Sequence, residues 1–418
     1  MKRRSFLENS AYTISMTALA PLLPQGSFNQ RRDLPTMNEI NLLGSYGNWA
    51  TNLVDEDSPA LFSFRQDAYN DLRTWKSLAR KIASDRLAAP DLLGLPKVTV
   101  ERQYEYDNLV IEELSWSLPY GPPTNALFMK PKNVEGPLPG ILALHDHGAN
   151  KYFGLRKITK SANDQHPLME THQNQYYEGK AWANEIAKRG YAVLIADAFL
   201  FASRRILLSD VPSVIRKGLT DEDPEDPENI QAYNDWAAEH EHIVAKSLFS
   251  AGTTWPGAYL VEDQMALTVL ASRNDVDEDN LGCGGLSGGG LRTVMLGGMD
   301  DRIKCAICVG YMTTWRDMVL YKSYTHTWMG FVPHLPRELD FPELFGLRVP
   351  LPIMVLNNEA DGLFTLGEMK RADRILQEVF DKADAGDQYR CSFHPGDHKF
   401  DLAMQNEAFD WFDRWLRT

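Results

Sequence analysis

The chain has 418 residues, 44% of them hydrophobic, enough for one large core with insertions or for two smaller cores. A formal net charge of −14 excludes nucleic acid and anionic lipid as main partners, since both attract cationic surfaces. Four cysteines are too few for a disulfide scaffold.

The chain opens Met1-Lys-Arg-Arg-Ser-Phe-Leu7, and a modestly apolar stretch follows over residues 11–23. This pattern reads as a twin-arginine export signal over residues 1–26. The apolar run is too short and too polar for a stable membrane span, so the expectation is a folded protein delivered to the periplasm or the cell exterior. Residues 27–96 read as a linker and a helical N-terminal extension. A helix is expected to start near Ser58-Pro59, and Leu72, Trp75, Leu78, Ala79 and Ile82 give an amphipathic stripe that Pro90 and Gly94 end.

Residues 97–418 read as one catalytic domain. From Lys97 the period becomes two: Val98, Val100 and Tyr104 alternate, as do Leu114, Trp116 and Leu118, and Ala126-Leu-Phe-Met129 follows a Pro-Pro turn, so antiparallel strands are expected. The continuous apolar run 139–144 suits a strand covered on both faces, and it ends in His145-Asp146-His147-Gly148-Ala149. A helix over 181–189, Gly190 and a strand over 191–196 make a βαβ unit. Residues 200–257 then interrupt the alternation with an acidic loop and a helix over 229–249, where a substrate cap would sit. A helix over 259–273 and a strand from 275 lead to a turn at 285–289, another helix and the strand 303–309. Residues 311–348 form a second, aromatic-rich insertion. A strand over 352–356, a helix that a Thr365/Glu368 capping box starts, a strand over 389–393 and a final helix complete the chain. Cys305 and Cys308 lie three apart on a strand and point to opposite faces, which fits small buried residues better than a redox or zinc pair.

The chemistry centres on Gly285-Leu286-Ser287-Gly288-Gly289, a G-x-S-x-G pentapeptide. Alone it is a weak signal. Its setting between a strand and a helix makes Ser287 the candidate nucleophile, because a serine on that strained turn is lifted clear of the sheet. A serine hydroxyl needs a base, and the base needs a carboxylate. The two following strands end in Asn357-Asn-Glu-Ala-Asp361 and His394-Pro-Gly-Asp-His398, both at the edge where α/β sheets place ligands. Asp361 is the expected acid over Glu359, and His398 the expected base over His394. The backbone N–H groups of Gly288 and Ala149 are the expected oxyanion donors. His147, Trp255, Trp315, His326 and Trp328 are candidate pocket residues. A rival reading gives His145 and His147 to a metal, but no further ligand cluster at suitable spacing accompanies them. His240 and His242 read as surface residues.

Five pieces together resemble an α/β-hydrolase from about Lys97 to the C-terminus: His147-Gly148-Ala149, Ala187-Lys-Arg-Gly-Tyr-Ala-Val193, the Ser287 pentapeptide, Asp361 with Phe364, and Pro395-Gly-Asp-His398 with Phe400. The likeness is to bacterial dienelactone hydrolase-like and acetyl xylan esterase-like enzymes. Dienelactone hydrolases themselves carry cysteine where this chain has Ser287. The resemblance implies an α/β fold with a mostly parallel central sheet, helices on both faces and cap-like insertions. It implies a serine carboxylesterase that needs no cofactor and acts on small esters or acylated carbohydrate. A peptidase on the same machinery and a non-catalytic carbohydrate-binding relative are the alternatives. Residues alone do not give the oligomeric state.

Overall fold

The computed structural model describes residues 41–54, 58–92 and 94–417. The expected export signal and most of the linker lie outside the described residues.

Nine strands form one sheet among the described residues, in the order β1-β2-β3-β5-β4-β6-β7-β8-β9. A short helix α1 (Gly47–Thr51) precedes α2 (Leu72–Leu87), which buries Trp75, Ala79, Ala83 and Leu87 at a strict four-residue spacing. No helix forms at Ser58-Pro59. The chain turns there, and the Asp71 carboxylate starts α2 by accepting from the Thr74 N–H at 2.8 Å. Strands β1 (Thr99–Tyr106) and β2 (Leu109–Trp116) form a hairpin. Its two turn residues, Asp107 and Asn108, both have positive φ, as a two-residue hairpin loop matched to strand twist requires. Strand β3 (Thr124–Pro131) continues the antiparallel edge, pairing with β2 and with β5 (Ala192–Ala196).

The parallel half begins at β4 (Leu138–Ala143), which lies between β5 and β6 (Val276–Leu286). Strands β7 (Ile303–Val309), β8 (Ile353–Asn358) and β9 (Tyr389–His394) follow in sequence order. Helices α3 (Pro167–Tyr177) and α4 (Trp182–Lys188) lie between β4 and β5. The segment after β5 holds α5 (Ser213–Arg216) and the long α6 (Pro227–Ala251), and α7 (Trp255–Ala271) then leads into β6. Helix α8 (Gly288–Met299) follows β6. The segment after β7 holds α9 (Leu335–Glu338) and α10 (Phe341–Gly346), and α11 (Leu366–Lys382) and α12 (Leu402–Leu416) follow β8 and β9.

Alternation along the strands builds two cores. On β7, Ala306 and Cys308 join α2, α7, α8, α10 and α11 on one face, while Cys305, Ile307 and Val309 join α4 and α12 on the other. Burial of Cys283, Cys305 and Cys308 raises their thiol pKa values, so they stay protonated and inert. Helix α3 carries no clear apolar period and sequence patterning missed it. Pro167 at its first position and the His166 imidazole, which accepts from the Leu168 N–H, start it. The Thr365/Glu368 capping box does not form: Glu368 is buried, accepts from the Thr314 hydroxyl at 2.5 Å and pairs with Arg316 at 3.3 Å. No helix among the described residues is long and apolar enough to cross a membrane.

Candidate active site

Strand β6 runs to Leu286 and the chain reverses at Ser287, whose φ of 58° and ψ of −119° are strained for any side-chain-bearing residue. The turn is held by its own backbone: the Ser287 N–H donates to the Val309 carbonyl at 2.9 Å, and the Ser287 carbonyl accepts from the Leu291 N–H at 2.9 Å. Glycines make the turn possible. The Leu144 carbonyl of the neighbouring strand end presses on both Gly285 and Gly289, so a Cβ at either would collide with backbone. The Ser287 hydroxyl does not cap its own helix and is left for other work.

Two loops on the same edge of the sheet meet beside this turn. Asp361 is buried after β8, and its Oδ1 accepts from the Leu363 N–H at 2.9 Å. His398 follows β9 and donates through Nδ1 to Asp361 Oδ2 at 2.6 Å, so its Nε2 carries the free lone pair. The His398 ring lies over Gly310, where a Cβ would come within 3.0 Å of Cε1. Gly310 directly follows Val309, the residue that receives the Ser287 N–H, so one short segment carries contacts to both groups. The alternatives sit elsewhere: Glu359 is exposed, and His394 Nε2 is taken by Glu407 at 2.8 Å.

The expected oxyanion pair needs one correction. The Ala149 N–H is turned away, donating to His147 Nδ1 at 3.0 Å, because Gly148 and Ala149 both take positive φ and fold the loop back on that ring. The amide that faces the helix start is that of His147: its nitrogen lies 3.0 Å from where a Gly288 Cβ would be. Among the described residues the His147 N–H has no protein acceptor. Gly288, which opens α8, brings its own amide to the positive end of that helix next to Ser287.

The loop bearing that amide is fixed from below by Lys157, whose buried ammonium donates to the carbonyls of Asp146 and His147 at 2.9 and 2.7 Å. Burial pushes the Lys157 pKa down to about 8, opposed by the Asp146 charge. Burial works against the Asp146 charge too. The His172 and Lys157 charges outweigh it, with hydrogen bonds from His172 and from the Tyr177 hydroxyl (2.5 Å), and hold that carboxyl well below the usual range. His145 is fully used in the core: its Nδ1 donates to the Asp146 carbonyl and its Nε2 accepts from the Ala198 N–H. No three His, Cys, Asp or Glu groups among the described residues converge as metal ligands.

The five candidate pocket residues separate into two groups. Trp255 and Trp315 belong to the core: Trp255 is fully buried under the Lys151 ammonium, and Trp315 packs on Phe341 and donates to the Leu339 carbonyl. Their aromaticity serves packing, which sequence cannot separate from pocket lining. His147, His326 and Trp328 stay near the site. Trp328 is 40% exposed and meets Phe249 from the end of α6, while its neighbour Met329 reaches to 3.2 Å from the Gly288 Cβ position. His326 packs with tilted rings against Phe364 and Tyr311, and burial pushes its pKa to about 4. His240 stacks on Trp236 and His242 is exposed, both on α6.

The sequence profile of the prolyl oligopeptidase family matches residues 246–416, a span that holds Ser287, Asp361 and His398. A protein of Bacillus subtilis (strain 168) that bears the name "Putative hydrolase YtaP" is 25% identical over 331 residues, 78% of this chain and 95% of its own length. A crystal structure of a candidate acetyl xylan esterase from Bacteroides fragilis NCTC 9343 superposes with a TM-score of 0.61 at 16% identity, covering 84% of this chain and 82% of that one. The chain has the α/β-hydrolase fold. A glucuronoyl esterase from Solibacter usitatus superposes with a TM-score of 0.60 at 14% identity, over 86% of this chain and 98% of its own. In this fold the strand order and the turn after β6 put the three candidate side chains at one sheet edge. Two surface clefts lie elsewhere, one lined by Tyr106, Lys160 and Lys188 and another by Tyr152, Asp197 and Arg205.

Proposed function

We propose that the protein is a serine carboxylesterase working through Ser287, Asp361 and His398. The observation that carries the reading is the half-buried Asp361–His398 hydrogen bond beside a serine held at φ 58°. His398 Nε2 takes the Ser287 hydroxyl proton as Oγ attacks the ester carbonyl, and Asp361 stabilises the imidazolium that forms. The carbonyl oxygen becomes an oxyanion held by the amides of Gly288 and His147. The C–O bond to the alcohol then breaks, the alcohol leaves with the proton from His398, and an acyl group stays on Ser287. Water, deprotonated by His398, attacks that acyl group, and the acid is released with Ser287 restored.

Acetyl esters of polysaccharide are the proposed substrates, supported by the exposed Trp328, whose neighbour Met329 reaches the start of α8, and by the carbohydrate esterases among the fold relatives. The arginine pair near the N-terminus supports action outside the cytoplasm. A peptidase is the second reading, favoured by the prolyl oligopeptidase family match. Initial rates on p-nitrophenyl acetate, acetylated xylo-oligosaccharides and a peptide anilide separate the two. Ester cleavage abolished in Ser287→Ala, with the anilide untouched, is expected. Undiminished ester cleavage by Ser287→Ala would overturn the proposal, and anilide cleavage alone would favour the peptidase.

A further inference from the structure

Helix α6 lies in the first insertion, where a substrate cap was expected, yet it buries charged groups against the loop that faces Ser287. Glu241 on this helix is almost fully buried. Its Oε1 accepts from Lys151 Nζ at 2.5 Å and lies 3.4 Å from His147 Nε2. Two turns earlier on the same face of α6, Asn234 Oδ1 accepts the backbone N–H groups of Lys151 and Tyr152 at 2.9 and 3.0 Å. The Lys151 ammonium is closed over by Trp255 at 4.4 Å and Phe201 at 5.3 Å.

We infer that Glu241 is a positioning residue that locks the loop of residues 147–152, and so holds the His147 amide at the oxyanion. The inference rests on the serine esterase reading above. The chain of contacts is continuous. Glu241 accepts from His147 Nε2–H, which fixes the ring and its tautomer. His147 Nδ1 then accepts the Ala149 N–H, which fixes the positive-φ turn at Gly148 and Ala149. That turn sets where the His147 backbone nitrogen lies against Gly288. Both ring nitrogens of His147 are consumed in this way, so the ring acts neither as a second base nor as a ligand for substrate. Lys151 keeps the buried carboxylate neutralised, and Lys157 holds the same loop through two carbonyls. On this account the insertion helix is a fixed back wall of the oxyanion site rather than a moving lid.

The test compares native protein with Glu241→Ala, Glu241→Gln and a Glu241→Leu/Lys151→Met double variant, which removes both charges together and so avoids stranding the lysine. Two readouts are taken: kcat and KM on p-nitrophenyl acetate, and hydrogen–deuterium exchange of the 145–152 segment. A lost oxyanion donor typically lowers kcat by about 100- to 1,000-fold, and a loosened one by less. The alanine and double variants are expected to lose about 10- to 100-fold in kcat with KM within about twofold, and to exchange the segment at least about tenfold faster. The glutamine variant, whose carbonyl can accept from both His147 and Lys151, is expected to stay within about threefold of native kcat. A double variant with native kcat overturns the inference, whether or not exchange quickens. So does unchanged exchange in the variants where the native protein cleaves no ester. Inactivity of the native protein with quickened exchange in the variants would sink the esterase reading alone and leave the lock standing.

Discussion

Replacing Gly289 by alanine adds one methyl group, and the structure says where it goes. The new Cβ would collide with the Leu144 carbonyl oxygen, and it would lie 2.9 Å from the Leu144 carbonyl carbon and 3.2 Å from the His145 carbonyl oxygen. Ordinary carbon–carbon contacts are about 3.5–4.0 Å, so the end of β4 and the start of α8 must part by about 1 Å. The obstacle is backbone and cannot swing aside. Overpacking of this kind costs about 1–3 kcal/mol. With an unfolding entropy of about 0.9 kcal/mol/K for a chain this long, that is a fall in Tm of about 1–3 °C. The catalytic loss should be larger, because β4 leads straight into the loop bearing the His147 amide. A 1 Å displacement of a reacting geometry costs about 100-fold in rate. Differential scanning calorimetry and kcat/KM on p-nitrophenyl acetate measure the two effects. Gly362→Ala is the control: it adjoins Asp361, has negative φ, and has nothing within 4 Å of the added carbon, so both quantities should stay native. A Gly289→Ala protein with native Tm and native kcat/KM would refute the steric account of the turn.

Asp361→Asn removes the acceptor that fixes the His398 Nδ1–H and should lower kcat by about 10⁴-fold, whereas Glu359→Gln, on an exposed loop position, should change it by less than about twofold. Equal losses in the two variants would reverse the choice of acid. His326 makes acid stability pH-dependent. Burial holds its pKa at about 4 in the folded protein against about 6.5 when unfolded, so as pH falls below 6.5 the unfolded chain takes up a proton that the folded one refuses. Its contribution is intact above pH 6.5, is lost as pH falls towards 4, and amounts to at most about 3 kcal/mol. His326→Gln should therefore flatten the fall in Tm between pH 6.5 and 4, and parallel curves for the two proteins would contradict this.

Where backbone pattern decides structure, the sequence was readable. The apolar runs of β4, β5 and β7 form strands and the Gly-rich stretch at Ser287 forms a turn where each was expected, and the opposite facing of Cys305 and Cys308 followed from period two alone. Loop position favours Asp361 over Glu359 in the sequence, and in the structure Asp361 is buried and Glu359 exposed. What was illegible depended on tertiary partners. Glu368 fits a capping box by spacing, but a buried Thr314 and Arg316 compete for its carboxylate and win. Trp255 and Trp315 have the chemistry of pocket residues and the burial of core ones. The turn of the Ala149 amide towards His147 depends on two positive φ values that no residue type near it announces, since only Gly148 favours such a conformation. The Glu241–Lys151–His147 contact joins residues some ninety positions apart. Only its components, a lone glutamate on a polar helix and a lysine in a loop, are visible in the chain.

The central claim is that Ser287 is an activated nucleophile. Labelling the purified protein with a fluorophosphonate, then mapping the adduct by peptide mass spectrometry, tests it directly. The account predicts one adduct on Ser287, formed rapidly in native protein and at least about 100-fold more slowly in Asp361→Asn. A folded protein that takes no label, or takes it on another serine, would contradict the account.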